Sequence, residues 1–179
     1  IQQLEFLKHI LRFNRRVYLD HNATTPVSAR VRGKMVRALK YNFGNPSSFY
    51  GIGRKSAELM ELARGQVADA IHADPSEILF TGCATESNNA VLKSVSAKCY
   101  PKRKKIISTP IEHPSVLNTL AYLETQGLVV EYCPVDDQGR LLLAELEKRI
   151  DDQTFLVCCM LANNETGVIQ DIPAVTKIA

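Results

Sequence analysis

Lys105-Ile106-Ile107-Ser108-Thr109, followed after Pro110 by Ile111-Glu112-His113-Pro114-Ser115, is the stretch that decides the fold of this chain. The first run has the apolar, β-branched composition of a buried strand, and Pro114 suits the first turn of a helix. Two further strand-like runs are followed by polar motifs: Glu77-Ile78-Leu79-Phe80-Thr81 by Gly82-Cys83-Ala84-Thr85-Glu86-Ser87, and Thr154-Phe155-Leu156-Val157-Cys158-Cys159-Met160 by Leu161-Ala162-Asn163-Asn164-Glu165-Thr166-Gly167. In open α/β sheets, ligands bind at the carboxyl ends of the strands, so the three loops predict one crevice.

Helical and strand-like segments alternate along the rest of the chain. The patterns predict helices over 28–41, 53–73, 85–98, 114–125 and 143–150, a last helix starting near Pro173, and strands over 77–81, 105–109, 128–133 and 154–160. Such a β-α-β-α-β-α-β order implies an α/β fold of three layers, with a mainly parallel sheet and helices on both faces.

Residues 1–16 form a separate segment before a domain that we assign to residues 17–179. Apolar residues recur in this segment at helical spacing, among several basic residues, and this predicts an N-terminal helical extension. A targeting sequence, a docking helix and upstream sequence all agree with the pattern, and we assign the extension no function.

Composition excludes several classes of protein. Of 179 residues, 45% are apolar and the net charge is only +3, as is ordinary for a globular domain. The basic cluster Lys102-Arg103-Lys104-Lys105 is interpreted as a solvated loop, and we expect no nucleic-acid partner. No apolar run approaches the length of a membrane span, so we expect no membrane partner. Five cysteines without a C-x-x-C pair indicate a reducing, cytoplasmic setting and no metal site.

The first polar loop is a candidate phosphate site. Gly82 allows a tight turn, and a helix starting near Thr85 would present free backbone N–H groups to an anion. The alternative is an ordinary helix start capped by a Thr or Ser side chain. Neither a Walker lysine nor a G-x-G-x-x-G pattern is present, which argues against a nucleoside-triphosphatase and a Rossmann site.

The other two loops supply side chains for a planar ligand. His113, at the start of a helix, could stack on a ring or transfer a proton near neutral pH, although a purely structural histidine is the alternative. Asn163, Asn164 and Glu165 offer amide donors and a carboxylate, and the alternative for them is turn formation.

Five motifs, in this order, resemble the cysteine desulfurases of the class V aminotransferase group. They are Asp20-His21-Asn22-Ala23-Thr24-Thr25-Pro26, Gly44-Asn45-Pro46-Ser47-Ser48, Ala84-Thr85-Glu86-Ser87-Asn88, Glu112-His113, and Asn163-Asn164-Glu165-Thr166-Gly167. The resemblance implies the large domain of a fold type I enzyme that depends on pyridoxal 5'-phosphate and is usually a homodimer. It also implies sulfur removal from L-cysteine, leaving L-alanine and an enzyme persulfide that a sulfur-acceptor protein of iron–sulfur cluster or thiolation pathways takes up.

The resemblance also implies roles for individual residues. Ala84 and Thr85 match the positions that hold the cofactor phosphate. His113 matches the catalytic histidine that stacks on the pyridine ring, and Asn164 matches the asparagine that contacts the ring oxygen. Cys83 stands where the family often has glycine, and we interpret it as a small packing residue.

Other parts of the family pattern are missing from the 179 residues. No His-Lys pair that could provide the Schiff-base lysine is present, and the aspartate, arginine and persulfide cysteine of the family are expected beyond Ala179. We therefore expect an N-terminal portion that is inactive alone. A selenocysteine lyase and a non-catalytic remnant that serves as an interaction module are the alternatives.

Overall fold

A computed structural model describes residues 17–179, and the predicted helix within residues 1–16 lies outside the described residues. The chain divides into two compact units at Glu61/Leu62. Helix α1 spans Ala29–Tyr41, and helix α2 spans Gly51–Ile71 across the division.

The start of α1 is set by a side-chain cap. The Ser28 hydroxyl accepts the backbone N–H of Val31 at 3.3 Å, which satisfies one of the donors that a helix start leaves open. Position 53, near the start of α2, has room only for glycine, because a Cβ atom there would lie 2.6 Å from the carbonyl oxygen of Asn45. The predictions of helices over 28–41 and 53–73 are confirmed to within two residues at each end.

A parallel sheet organises the second unit. Its strands are β1 (Lys105–Ser108), β2 (Val129–Tyr132) and β3 (Thr154–Val157), in the spatial order β2-β1-β3. Both β2 and β3 pair with β1 in parallel. The central strand is buried along its whole length, as expected of a strand covered on both faces.

Four helices cover the two faces of this sheet: α3 (Ala84–Cys99), α4 (Pro114–Thr125), α5 (Leu143–Arg149) and α6 (Ile172–Ile178). Ile106 packs with α3 and α4 in one apolar cluster, and Ile107 packs with α5 and α6 in another. Successive side chains of a strand point to opposite faces, so the two isoleucines anchor separate layers. The prediction of three layers is confirmed.

The predicted strand over 77–81 is wrong. Pro75–Glu77 forms a 3₁₀ turn, and residues 78–81 pair with no strand among the described residues. The Asp74 carboxylate accepts the N–H of Ser76 at 2.8 Å, and the Glu77 carboxylate accepts the N–H of Asp74 at 2.8 Å. This capping box commits Glu77 to a helical turn, and local capping outweighs the strand propensity of the apolar residues that follow.

The basic cluster before β1 is only partly solvated. Lys105 is buried, and its Nζ lies 2.8 Å from Glu131, 3.1 Å from Asp151 and 2.6 Å from the Arg149 carbonyl oxygen. Burial alone would lower the pKa of Lys105, but the hydrogen bonds that its ammonium group donates to the two carboxylates outweigh burial and raise the pKa above its ordinary value. The last member of the cluster is therefore a structural cation that joins β1 to β2 and to the segment that precedes β3.

Helix α4 has the predicted limits. Pro114 occupies its first turn, and Gly127 follows its C-cap with φ +94°, a conformation that favours glycine. No helix within residues 17–179 has the length and apolar character needed to cross a membrane.

Candidate functional site

Two buried side chains tie the second polar loop to the third. The Glu112 carboxylate accepts the backbone N–H of Met160 at 2.7 Å and the hydroxyl of Thr109 at 3.1 Å. The Asn163 amide donates to the carbonyl oxygen of Ile111 at 2.9 Å. The loops that follow β1 and β3 are therefore held together at the carboxyl end of the sheet, as the sequence predicted.

The first polar loop joins this group by a different route. It does not follow a strand, so the prediction of three strand-end loops is wrong for this one. It leads into α3 instead, and Asn88 on that helix donates its side-chain amide to the hydroxyl of Ser115 at 2.8 Å. Because Ser115 lies in the first turn of α4, this bond links the start of α3 to the loop that carries His113.

The start of α3 offers hydrogen-bond donors suited to an anion. Cys83 is the N-cap residue and makes no side-chain capping bond, so the alternative of a Thr or Ser cap does not hold. Glu86 accepts the N–H of Gly82 at 2.6 Å. The amides of Ala84, Thr85 and Glu86 donate to no group within residues 17–179. Several open amides at the positive end of a 16-residue helix fit a phosphate group.

His113 is the N-cap residue of α4 and has an exposed side chain. Its Nδ1 accepts the backbone N–H of Ser115 at 3.1 Å and lies 2.8 Å from the Ser115 hydroxyl. The Nδ1 side of the ring is therefore held by the protein, and Nε2 is the nitrogen that remains for a ligand.

A cleft of about 390 Å³ brings two of the predicted site residues together. It lies between α3 and α4, and Thr85 and His113 both line it. Lys93 also lines this cleft, with its ammonium group 5.1 Å from the centre of the Tyr122 ring. The phosphate candidate and the ring-stacking candidate thus share one cavity, with a cation further along its wall.

The adjacent asparagines of the third loop have different surroundings. Asn163 is buried, and its side-chain oxygen accepts the N–H groups of Glu165 and Thr166, both at 2.9 Å. It therefore forms the turn that the sequence offered as an alternative. Asn164 is exposed, and its amide donates to the Glu165 carboxylate at 2.7 Å. Asn164 does not line the cleft that contains Thr85 and His113.

The five cysteines form no disulfide, and their surroundings differ. Burial raises the pKa of Cys158 to about 12 and that of Cys159 to about 11. These two side chains pack against opposite apolar clusters of the sheet, whereas Cys83 is exposed beside the open amides of α3. Residues 17–179 contain no group of three His, Cys, Asp or Glu side chains placed to hold a metal ion.

Sequence reasoning gave no role to Asn88 or Ser115, although both lie inside quoted motifs. Their bond joins residues 27 positions apart, and no periodicity or local capping rule relates such positions. The sequence predicts Asn163 as a candidate site residue, but its hydrogen bonds show that it stabilises the third loop instead.

Comparisons with known proteins match most of this chain. The profile of the family Aminotransferase class-V matches residues 17–179. The chain is 46% identical over 166 residues to cysteine desulfurase IscS of Methanosarcina thermophila, an alignment covering 93% of this chain and 41% of the relative. It is also 46% identical to cysteine desulfurase 2 of Trichormus variabilis, over 86% of this chain and 38% of that protein.

Solved structures show the same relationship in three dimensions. A NifS-like protein superposes with a TM-score of 0.89 at 48% identity, covering 91% of this chain and 45% of its own. SspA in complex with cysteine superposes with a TM-score of 0.87 at 35% identity, covering 92% of this chain and 47% of its own. The chain spans about two fifths of the length of the curated relatives that it matches.

Proposed function

Since this chain belongs to the class V aminotransferase family, we propose that it binds pyridoxal 5'-phosphate and forms part of a cysteine desulfurase. The proposed reaction converts L-cysteine and an enzyme thiol into L-alanine and an enzyme persulfide. Atoms and electrons balance, because the sulfur atom that leaves cysteine becomes the outer atom of the persulfide. The observation that carries the proposal is the cleft shared by Thr85 and His113, with open helix amides at Thr85.

The residues of the chain have separate tasks in this proposal. The amides of Ala84 and Thr85, with the Thr85 hydroxyl, bind the phosphate group. His113 lies against the pyridine ring and moves a proton at Nε2, the nitrogen that the protein leaves available. Asn164 donates to the ring oxygen. When bound, the cofactor supplies the electron sink for bonds broken at the substrate.

The partners follow from the same proposal. L-cysteine is the substrate, and a sulfur-acceptor protein takes up the persulfide sulfur. The enzyme is a homodimer in this proposal, and the reaction occurs in the cytoplasm, in keeping with five cysteines that form no disulfide. Turnover of L-cysteine and L-selenocysteine by the complete protein, compared side by side, separates a desulfurase from a selenocysteine lyase.

Alkylation of Cys83 tests cofactor binding without requiring turnover. Cys83 precedes the open amides and is exposed, so a phosphate group bound there should shield its thiol from iodoacetamide. We expect pyridoxal 5'-phosphate to slow modification of Cys83, measured by peptide mass spectrometry, and pyridoxal at the same concentration to slow it much less. Cys99, which lies at the other end of α3, serves as the internal control.

A single substitution sharpens this test. Thr85→Val removes a hydroxyl and keeps the side-chain shape, and a hydrogen bond to a charged group contributes about 1.5–3 kcal/mol, so protection should require about tenfold more cofactor or beyond. Equal protection by pyridoxal, or unchanged protection in Thr85→Val, would contradict the assignment of the phosphate site.

A further inference from the structure

We propose that Asn88 and Ser115 are positioning residues that hold the neutral imidazole of His113 with its proton on Nε2. The purpose of this arrangement rests on the proposed function, in which His113 acts on a bound ring. The arrangement itself rests on three contacts: Asn88 Nδ2 to Ser115 Oγ at 2.8 Å, Ser115 Oγ to His113 Nδ1 at 2.8 Å, and Ser115 N to His113 Nδ1 at 3.1 Å.

The backbone amide sets the direction of all three hydrogen bonds. The N–H of Ser115 can only donate, so His113 Nδ1 must be an acceptor and carries no proton in the neutral ring. The Ser115 hydroxyl then donates to the same nitrogen. Its oxygen is left to accept, and the Asn88 amide group supplies the donor. One orientation of each group satisfies every contact.

Burial keeps this chain of hydrogen bonds in one arrangement. Ser115 is only 8% exposed, so water has little access to its hydroxyl and does not replace its protein partners. His113 at the other end is exposed in the cleft. The polar groups that face Nδ1 are therefore the Ser115 amide and hydroxyl, and the hydroxyl is in turn set by Asn88 on α3.

The consequence for the site is a histidine with one defined working atom. Nδ1 is engaged by two donors, so a proton can be given to a ligand only from Nε2. Because Asn88 lies one turn beyond Thr85 on α3, the same helix that offers the phosphate amides also sets the proton position on the ring-stacking side chain. Binding of the phosphate group and proton transfer by His113 then both depend on α3.

Nitrogen-15 NMR of the histidine rings in the complete protein without cofactor tests this inference. At a pH where the ring is neutral, we expect the His113 Nδ1 resonance in the unprotonated range and Nε2 in the protonated range. His113→Asn identifies the signals. Asn88→Asp replaces the donor by a carboxylate that draws the Ser115 hydrogen to itself, and we expect the Nδ1 resonance to shift towards the protonated range. Asn88→Ala removes the donor that orients the Ser115 hydroxyl, so the hydroxyl can turn away from Nδ1, and we expect a smaller shift in the same direction.

Asn89→Asp is the matched control. It adds the same charge one residue along α3, where Asn89 donates to the Thr85 carbonyl oxygen and not to Ser115. A protonated Nδ1 in the native protein would overturn the proposal, as would an equal shift in Asn88→Asp and Asn89→Asp or none in either. These measurements need neither cofactor nor turnover, so loss of the proposed desulfurase activity and failure of this inference remain distinguishable.

Discussion

Replacement of each of the two adjacent asparagines in the third loop should have opposite consequences. Asn163→Ala removes three short hydrogen bonds, to the Ile111 carbonyl oxygen and from the amides of Glu165 and Thr166. It also removes longer contacts to the Thr166 hydroxyl and the Met160 sulfur. At about 1 kcal/mol for each bond, the substitution should lower the free energy of unfolding by about 3 kcal/mol. Asn164→Ala removes contacts of an exposed side chain, among them the hydrogen bond to Glu165, and a change within about 0.5 kcal/mol is expected.

Urea denaturation measures this difference directly. With a denaturant slope of about 2 kcal/mol per molar, Asn163→Ala should lower the unfolding midpoint by about 1.5 M, whereas Asn164→Ala should leave the midpoint close to the native one. The cofactor protection assay on Cys83, run well below both midpoints, should give the reverse order, with the larger loss in Asn164→Ala. Equal midpoints for the two variants would refute the structural role of Asn163. Unchanged protection of Cys83 in Asn164→Ala would refute the ligand role of Asn164.

Two further predictions concern the frame that carries the site. Gly127→Ala places a side chain at φ +94° and should lower the free energy of unfolding by about 1–2 kcal/mol. Gly65→Ala lies inside α2, where no atom is near the new Cβ, and should raise the free energy of unfolding by about 0.5–1 kcal/mol. Urea midpoints of the two variants that moved in the same direction would contradict this. Hydrogen bonds from Arg149, the larger effect, and from Lys148 lower the pKa of Glu145 to about 2. The stabilising contribution of Glu145 is therefore present above the ordinary pKa of 4.5 and is lost as the pH falls towards 2. Carboxyl carbon-13 NMR should show this low pKa, and Arg149→Met should return it towards the ordinary value.

Local chemistry explains the elements that could be predicted. The limits of α4 follow from Pro114 at its start and Gly127 after its end, which are signals a reader of the sequence can see. The predicted strand over 154–160 ran three residues too far, because its apolar run continues past Val157, where the pairing with β1 ends. Strand ends depend on a partner strand, and the sequence of one strand does not contain that information.

The apolar run over 77–81 shows how one local signal overrides another. Its composition is typical of a strand, but Asp74 and Glu77 close a capping box around Pro75. Both signals are present in the sequence. Only the folded chain shows which of them controls the backbone, since the strand reading also needed a neighbour to pair with.

The sequence by itself determined the α/β class, the two-sided burial of β1 and the residue types of the proposed phosphate-and-ring site, because these depend on periodicity and on chemistry carried by short motifs. The tertiary structure alone decided which of these residues meet. Glu112 reaches Met160 across 48 positions, Asn163 reaches Ile111 across 52, and Asn88 reaches Ser115 across 27. Contacts at such separations arise from the packing of strands and helices against each other. That packing turned Asn163 into a support and put Thr85 and His113 on one cleft.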